Sequence, residues 1–450
     1  MHTVVVPRAA AMPAMVDFPD EVFNLILELS GHALSFSMLS KRVREKILNS
    51  SAGRIWLAIK IKAGMTTDLL PNFVRLAGMF RVTVKAGIKY EDMLLCKRDD
   101  ESVDSSTGTF LACIQRIELP NITSINAEIV VEMLGKCSSL AYLDLDRNPM
   151  SAAVVSRLAA GLTKCTALAH LNLEHNVIED KGVQSLARVL PRCPQLAHLH
   201  LGFNCIGAEG AGCIAAVLPQ CPSLAHLDLR SNSIGAEGAG RLAPALGQCP
   251  SLAHLDLRSN SIGAAGLRRV AAVLPECPSL AYLNLHRNYM GAEGVGSLVA
   301  VLPECAQLAH LDLGFNCIGA EGAERLAPAL GQCPSLAHLG LRSNSIGDEG
   351  MRRLATALEQ CPLLAHLYLG WNNIGAEGAG RLASSLPQCS SLVHLDFRWN
   401  NIGDEGAWSL AAELPQCSSL AHLDLRYNSI SQVGAGGLAA ARPQCLSLFC

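Results

Sequence analysis

The chain has 450 residues, of which 50% are hydrophobic and only 4% aromatic, and its formal net charge is −3. This balanced charge provides no basic field that would attract nucleic acid or an anionic membrane, so neither is an expected partner. No run of about 18 apolar residues occurs, so no membrane span is predicted. The first ten residues lack a basic lead and a continuous apolar core, and they predict no secretory signal. We therefore expect a cytoplasmic protein, with the nucleus as the other compartment.

After a loose tail over residues 1–16, residues 17–60 predict a small helical module. Pro19 suits the first position of a helix, and the two acidic residues after it suit the first turn. Helical spacing places four apolar side chains of this first helix on one stripe: Val22, Leu25, Ile26 and Leu29. A second amphipathic helix begins near Leu39.

This module resembles an F-box at four places: Phe18-Pro19-Asp20-Glu21-Val22, Ile26-Leu27-Glu28-Leu29, Ser40-Lys41-Arg42 and Trp56. F-boxes hold Skp-type adaptors in SCF-type ubiquitin ligases. The resemblance implies an adaptor-binding surface formed by Phe18, Pro19, Val22, Leu25, Ile26, Leu29 and Leu39. The alternative is a helical cap that shields the first repeat of the region that follows.

Residues 61–110 are interpreted as a connecting or capping region, with a helix-like apolar piece over 73–80 and a charged loop over 97–101. Beyond it, Ile114 and Ile117 predict a strand, and the apolar residues over 129–134 predict a helix. These two pieces resemble a degenerate first copy of the repeat described next, as expected for a terminal repeat. We therefore assign residues 111–450 to one repeat domain.

The repeat domain has a period of 28 residues, which a cysteine keeps from Cys137 to Cys445 and an asparagine keeps from Asn148 to Asn428. The sequence of Cys221–Ala236 recurs unchanged at Cys249–Ala264. A fixed period in the twenties, written L-x-x-L-x-L-x-x-N, is typical of a leucine-rich-repeat solenoid.

One copy shows how the strand and its turn would form. Leu227 and Leu229 are two residues apart, so both point to one side of a strand, while His226 and Asp228 point to the other. The amide of Asn232 both donates and accepts hydrogen bonds, so stacked copies would satisfy backbone groups buried in the turn. Two glycines, at 235 and 238, are assigned to the tight turn out of the strand.

The second half of the copy predicts a helix, because Leu242, Ala245 and Leu246 share a face, and Pro250 ends it. Each copy thus gives one strand and one helix, and stacked copies give a parallel concave sheet with helices on the convex side. The copies resemble ribonuclease-inhibitor-type leucine-rich repeats over residues 137–445. The predicted fold is an α/β horseshoe solenoid that carries the small N-terminal helical module.

Twelve of the 18 cysteines belong to the periodic ladder. Their periodic, apolar setting predicts buried free thiols in a reducing compartment rather than a secreted disulfide framework. No C-x-x-C pair occurs, so no zinc site is predicted. His and Asp recur together on the concave face in copy after copy, whereas catalysis needs one preorganised constellation. The sequence therefore predicts no catalytic residue, no cofactor and no functional metal site.

On the concave face, the residues differ from the repeat consensus mainly in the last three repeats, where aromatic residues accompany arginines. Such a mixture is typical of hot spots in protein interfaces. We predict a partner-binding patch made of His338, His366, Tyr368, Trp371, Asp396, Arg398, Trp399, Asp424, Arg426 and Tyr427. The alternative is that these aromatic side chains only pack on neighbouring turns.

An F-box-like module followed by leucine-rich repeats resembles the substrate receptors of SCF-type ubiquitin ligases. The resemblance implies a non-catalytic protein that binds a Skp-type adaptor with its N-terminal module and a protein ligand with its concave face. The alternatives are a Ran-type GTPase-activating regulator, a scaffold or sensor that has leucine-rich repeats and no phosphate-binding loop, and a ribonuclease inhibitor.

Overall fold

The structure is a computed structural model, and it describes residues 127–441 together with five strands at 23–29, 55–61, 81–85, 114–118 and 447–449. Sixteen strands form one sheet in which each strand pairs with the next along the chain. The strands are β1 (Phe23–Leu29), β2 (Ile55–Ile61), β3 (Arg81–Lys85), β4 (Ile114–Glu118), β5 (Tyr142–Asp144), β6 (His170–Asn172), β7 (His198–His200), β8 (His226–Asp228), β9 (His254–Asp256), β10 (Tyr282–Asn284), β11 (His310–Asp312), β12 (His338–Gly340), β13 (His366–Tyr368), β14 (His394–Asp396), β15 (His422–Asp424) and β16 (Ser447–Phe449).

Twelve α-helices alternate with the strands in the described part of the chain, and each packs on the next helix. They are α1 (Ala127–Lys136), α2 (Ala152–Leu162), α3 (Glu179–Ala187), α4 (Ala208–Val217), α5 (Gly235–Leu246), α6 (Gly263–Ala271), α7 (Gly291–Val299), α8 (Gly319–Leu330), α9 (Gly347–Leu358), α10 (Ala376–Ser385), α11 (Gly403–Glu413) and α12 (Gln432–Ala441). The strands, each paired with the next, and the helices, each packed on the next, together form the predicted solenoid.

The register of the sheet keeps equivalent residues of successive repeats side by side. Strand β8 pairs with β9 in parallel, so that Leu227 lies opposite Leu255 and Asp228 lies opposite Asp256. The leucines at 227 and 229 are fully buried between the sheet and the helices, as predicted. Since each strand from β5 to β15 buries its central leucine, the core runs through these repeats without a break.

Two glycines of the copy that begins at Cys221 have different roles. Gly235 has φ +62°, the left-handed conformation that a turn from strand to helix requires here. Gly238 lies inside α5, and a Cβ at this position would come within 3.0 Å of the Cα of Ala208 in the preceding helix. The prediction that both glycines serve the turn is therefore wrong for Gly238, which instead allows the helices to approach closely.

The asparagine ladder satisfies the buried turns, as predicted. The Asn316 amide nitrogen donates to the carbonyl oxygens of Leu285, Leu313 and Gly314 at 2.9–3.0 Å. Its carbonyl oxygen accepts a hydrogen bond from the backbone N–H of Asn288 at 2.8 Å. One side chain thus links consecutive repeats, and the residue itself is fully buried.

The cysteines that the structure describes are all free thiols, and those of the ladder from Cys137 to Cys417 are buried. Burial raises the pKa of the Cys165 thiol, and that of Cys333, to about 12. The prediction of buried free thiols is therefore confirmed for these positions. Cys205 and Cys317, which lie outside the ladder, are exposed.

The N-terminal part of the sheet corrects one prediction. Residues 23–29 form strand β1, which pairs with β2, and not the predicted helix carrying Leu25, Ile26 and Leu29. Trp56, which was placed in the same helical module, lies in β2. The sequence of β1 alternates apolar residues at odd positions with polar Asn24 and Glu28, so it fits a strand as well as a helix. The second predicted helix lies outside the described residues.

Strand β3 falls within the region predicted to connect the module to the repeats, and it pairs with β2 and β4. The degenerate first repeat is confirmed, because β4 and α1 occupy its predicted strand and helix. At the other end, β16 pairs with β15 and begins a further copy. Among the described helices, none has the length and apolarity needed to cross a bilayer.

Candidate protein-binding face

The strands present a column of aromatic rings on the face opposite the helices. The first residue of each strand from β5 to β15 is a histidine or tyrosine, and these rings contact their neighbours across the sheet. His338 and His366, both in the predicted patch, stack with ring centroids 4.1 Å apart. Partial burial in this column lowers the pKa of His338, so the ring is neutral at pH 7. His338 therefore presents an uncharged ring that is ordered by stacking on its neighbour.

Charged side chains beyond the strand ends form a network in the C-terminal repeats. Two nitrogens of Arg398 donate to the carboxylate of Asp396 at 2.9 and 2.8 Å, and Arg398 Nε lies 3.3 Å from Asp424. Arg426 makes the same paired contact with Asp424 at 2.9 and 2.6 Å. Asp396 also pairs with Arg342, which comes from the repeat two copies earlier. The arginines are thus held in place before any partner binds.

Burial acts to raise the pKa of Asp396, but hydrogen bonds from Arg398 and Arg342 outweigh burial and lower it. Asp396 is only 2% exposed, so its charge serves to orient the two guanidinium groups rather than to meet a partner. The guanidinium groups themselves remain partly exposed. Positive, donor-rich groups are therefore what this part of the face offers to a ligand.

Three aromatic side chains form an exposed stack next to this network. The rings of Trp371 and Trp399 lie 4.4 Å apart with a 20° interplanar angle, and those of Trp399 and Tyr427 lie 4.0 Å apart with a 16° angle. We call Trp371, Trp399 and Tyr427 the aromatic stack. Its members are 48%, 42% and 61% exposed in that order. They lie in the turns after β13, β14 and β15, at the edge of the face and not within its strands.

The backbone conformation of the aromatic stack is unusual for large residues. Trp371, Trp399 and Tyr427 have φ values of 61°, 57° and 63°, in the left-handed region that favours glycine. Serine takes this position in other copies, for example Ser231 and Ser343, so the fold does not require an aromatic side chain there. The three aromatic residues are thus held in a conformation that costs energy and remain exposed. They pack on one another, as the alternative interpretation expected, but this leaves about half of their surface free.

The chain also matches a known family. Nine segments fit the family model described as Leucine Rich repeat: residues 164–187, 192–215, 220–243, 248–271, 305–327, 332–355, 360–383, 388–411 and 416–439. This chain is a leucine-rich-repeat protein. The repeats of this family typically build non-catalytic scaffolds that bind other proteins.

Solved structures similar to this leucine-rich-repeat protein include an internalin from Listeria monocytogenes, with 17% identity, a TM-score of 0.49, and coverage of 76% of this chain and 88% of that one. A leucine-rich-repeat protein of Leptospira interrogans has 18% identity, a TM-score of 0.42, and coverage of 76% and 91%. The complex of Rad7 and Elc1 in yeast has 15% identity, a TM-score of 0.48, and coverage of 86% and 88%. At these values the likenesses carry no argument about function. No curated protein matches the sequence significantly.

The pairing of Arg342 with Asp396 in this leucine-rich-repeat protein was not predicted. It depends on Gly370, where a Cβ would lie 3.5 Å from Arg342 Nε and 3.1 Å from the carbonyl oxygen of Arg398. Because Gly370 has no side chain, the Arg342 side chain can extend across one whole repeat to reach Asp396. Near the other end, Arg230 reaches Glu174 at 2.9 Å past Gly202, in a similar way. A glycine in a column of arginines was the sequence signal for both contacts.

The remaining predicted site residues fall in two places. Tyr368 ends β13, and its ring centroid lies 5.4 Å from that of His394. Of the predicted adaptor-binding residues, Leu25, Ile26 and Leu29 lie in β1. The others, Phe18, Pro19, Val22 and Leu39, lie outside the described residues.

Proposed function

We propose that this leucine-rich-repeat protein is a non-catalytic receptor that binds a protein partner at its C-terminal repeats. The binding patch comprises the aromatic stack and the residues beside it: His338, His366, Tyr368, Asp396, Arg398, Asp424 and Arg426. The observation that supports this most strongly is the exposed stack of three aromatic rings next to arginines already fixed by buried carboxylates.

The physical reasons are burial and preorganisation. Aromatic side chains provide much apolar surface with few rotatable bonds, so their burial on binding costs little entropy. The stack contact restricts each ring further, and the paired contacts to Asp396 and Asp424 do the same for Arg398 and Arg426. Preorganised groups lose little freedom when a partner binds, so more of the contact energy appears as affinity.

The test compares tryptophans on opposite sides of the solenoid. Trp371→Ala and Trp399→Ala remove rings from the stack, whereas Trp408→Ala removes a ring of similar exposure (50%) from helix α11. Partners retained by the wild-type chain are identified by mass spectrometry, purified, and measured by calorimetry. Loss of a hot-spot ring should weaken binding about 30-fold, for about 2 kcal/mol. Equal affinities for the Trp399→Ala and Trp408→Ala variants would contradict the proposal.

A narrower role as substrate receptor of an SCF-type ubiquitin ligase rests on the F-box-like sequence of residues 17–60. An F-box binds its adaptor as helices, and the strand over Phe23–Leu29 weighs against that form. Mixing the full chain with a purified Skp-type adaptor and separating the mixture by gel filtration tests this role directly. Without co-elution the narrower role fails, while the proposal for the C-terminal patch stands.

A further inference from the structure

Four histidines meet on the inner face at one place in the N-terminal half of the repeats. His170, His198 and His226 belong to the column that opens each strand, whereas His200 is the third residue of β7. In β8 and β9 the third residue is aspartate, and in β6 and β10 it is asparagine. The imidazole of His200 therefore lies at a strand position where the neighbouring strands carry smaller side chains.

His200 lies between the neighbouring repeats and contacts the rings of both. Its ring centroid is 4.9 Å from that of His170 and 4.6 Å from that of His226. Ring nitrogens of His170, His198 and His200 all lie within 4.8 Å of one another, and a second group of the same compactness consists of His200, His226 and Asp228. His200 is common to both groups, so it is the centre of the cluster.

These distances suit a small divalent cation after modest side-chain rotation. Zinc binds imidazole nitrogen at about 2.0–2.1 Å, so tetrahedral ligand atoms lie about 3.4 Å apart. Because the histidines stand on parallel strands, rotations about side-chain bonds close the remaining gap without moving the backbone. Imidazole is a preferred ligand of zinc, copper and nickel.

Two carboxylates stand behind His200. Glu174 Oε1 and Asp228 Oδ2 each lie 3.9 Å from its Nδ1. Carboxylates beside a ligating histidine orient the ring and raise its basicity. Arg230 contacts Glu174 at 2.9 Å and Asp228 at 3.2 Å, so it offsets part of their negative charge. The surroundings are thus close to neutral before a cation enters.

We propose that His170, His198 and His200 form a binding site for a divalent transition-metal ion of the zinc type. Three nitrogen ligands leave a fourth position, which water would fill. The site lies six strands away from the aromatic stack and is independent of the proposed function. It departs from the sequence-based prediction, which treated the histidines as a uniform column and gave no weight to the single histidine at position 200.

The test uses the full chain without an affinity tag, stripped of metal by a chelator and then titrated with Zn²⁺ in competition with a chromophoric chelator. We expect one tightly bound zinc ion per chain. Bound Co²⁺ should give the intense visible absorption of a tetrahedral site. His200→Asn installs the residue that occupies this position in β6, so the fold is preserved, and it should weaken binding at least about 100-fold.

His310→Gln is the matched control, because His310 stands in the same column and stacks on Tyr282, but the third residue of its strand is Asp312. This variant should bind zinc as the wild type does. The absence of tight binding to the wild-type chain would overturn the proposal. So would equal affinity of the His200→Asn variant, or equal losses in both variants, because these results indicate weak association along the whole histidine column.

Discussion

Replacing Asp256 with asparagine should stabilise this leucine-rich-repeat protein at neutral pH. The carboxylate is only 4% exposed, and one of its oxygens accepts a hydrogen bond from the backbone N–H of Arg258 at 2.9 Å. In the next repeat, Asn284 is equally buried and accepts the corresponding hydrogen bond from His286 at 3.0 Å. The asparagine side chain therefore fits this environment and keeps the turn contact without the buried charge.

The size of the effect follows from the pKa of Asp256. Burial raises this pKa from 3.8 to about 6, with the nearby charge of Asp228 adding to the shift and the bond from Arg258 opposing it. Below about pH 4 the carboxyl is protonated in both the folded and unfolded chain, and no stability is lost. Between about pH 4 and 6 only the unfolded chain ionises, so stability falls as the pH rises. Above about pH 6 the loss is constant, at most about 3 kcal/mol for about two pKa units.

Urea unfolding followed by circular dichroism at several pH values between about 5 and 8 measures this effect. The Asp256→Asn variant should gain about 1 to 3 kcal/mol in the free energy of unfolding at pH 7, and this gain should shrink towards pH 5. Asp228→Asn is the control at the same position one repeat earlier. Although burial acts to raise it, contacts with His200 and Arg230 lower the pKa of Asp228 to about 2, so this variant should lose stability. A loss of stability in the Asp256→Asn variant, or a gain that does not change with pH, would refute the reasoning.

Two further predictions concern the asparagine and cysteine ladders. Asn316→Asp replaces an amide that donates to three carbonyl oxygens with a group that only accepts hydrogen bonds. It should therefore lower the free energy of unfolding, measured by urea denaturation, by about 3 to 5 kcal/mol. The same change at exposed Asn373 should lower it by less than about 1 kcal/mol. In brief alkylation of the folded chain with iodoacetamide, Cys205 and Cys317 should react while buried Cys165 and Cys333 do not, as read by peptide mass spectrometry. Labelling of the buried thiols at the same rate as the exposed ones would contradict the packed core.

The period of 28 residues was sufficient to predict the strands, helices and asparagine turns of the repeats. These features are confirmed because each is forced by stacking: the Leu227 side chain and the Asn232 amide have no other way to be buried and satisfied. Outside the periodic region this constraint is absent. The apolar residues of β1 fit either period, and a family resemblance favoured the helix over the strand that the structure has.

The details of the inner face could not be predicted from the same pattern. The contact of Arg342 with Asp396 depends on the path that Gly370 leaves open, and it spans two repeats. Trp399 lies in the turn because strand β14 ends at Asp396, where the pairing of β14 with β15 also stops. The meeting of His200 with rings from both neighbouring repeats depends on the spacing between strands. A one-dimensional repeat does not contain these distances.

The two identical stretches, Cys221–Ala236 and Cys249–Ala264, lie between the proposed site at His170, His198 and His200 and the aromatic stack. Recombination between the genetic copies of such stretches removes or adds 28 residues in frame, and the strands on either side then meet in the same register. Each event would change the separation of the two surfaces by one strand spacing, about 4.8 Å. Gain or loss of whole repeats can thus change the distance between the two surfaces in fixed steps, while the residues that form each surface stay the same.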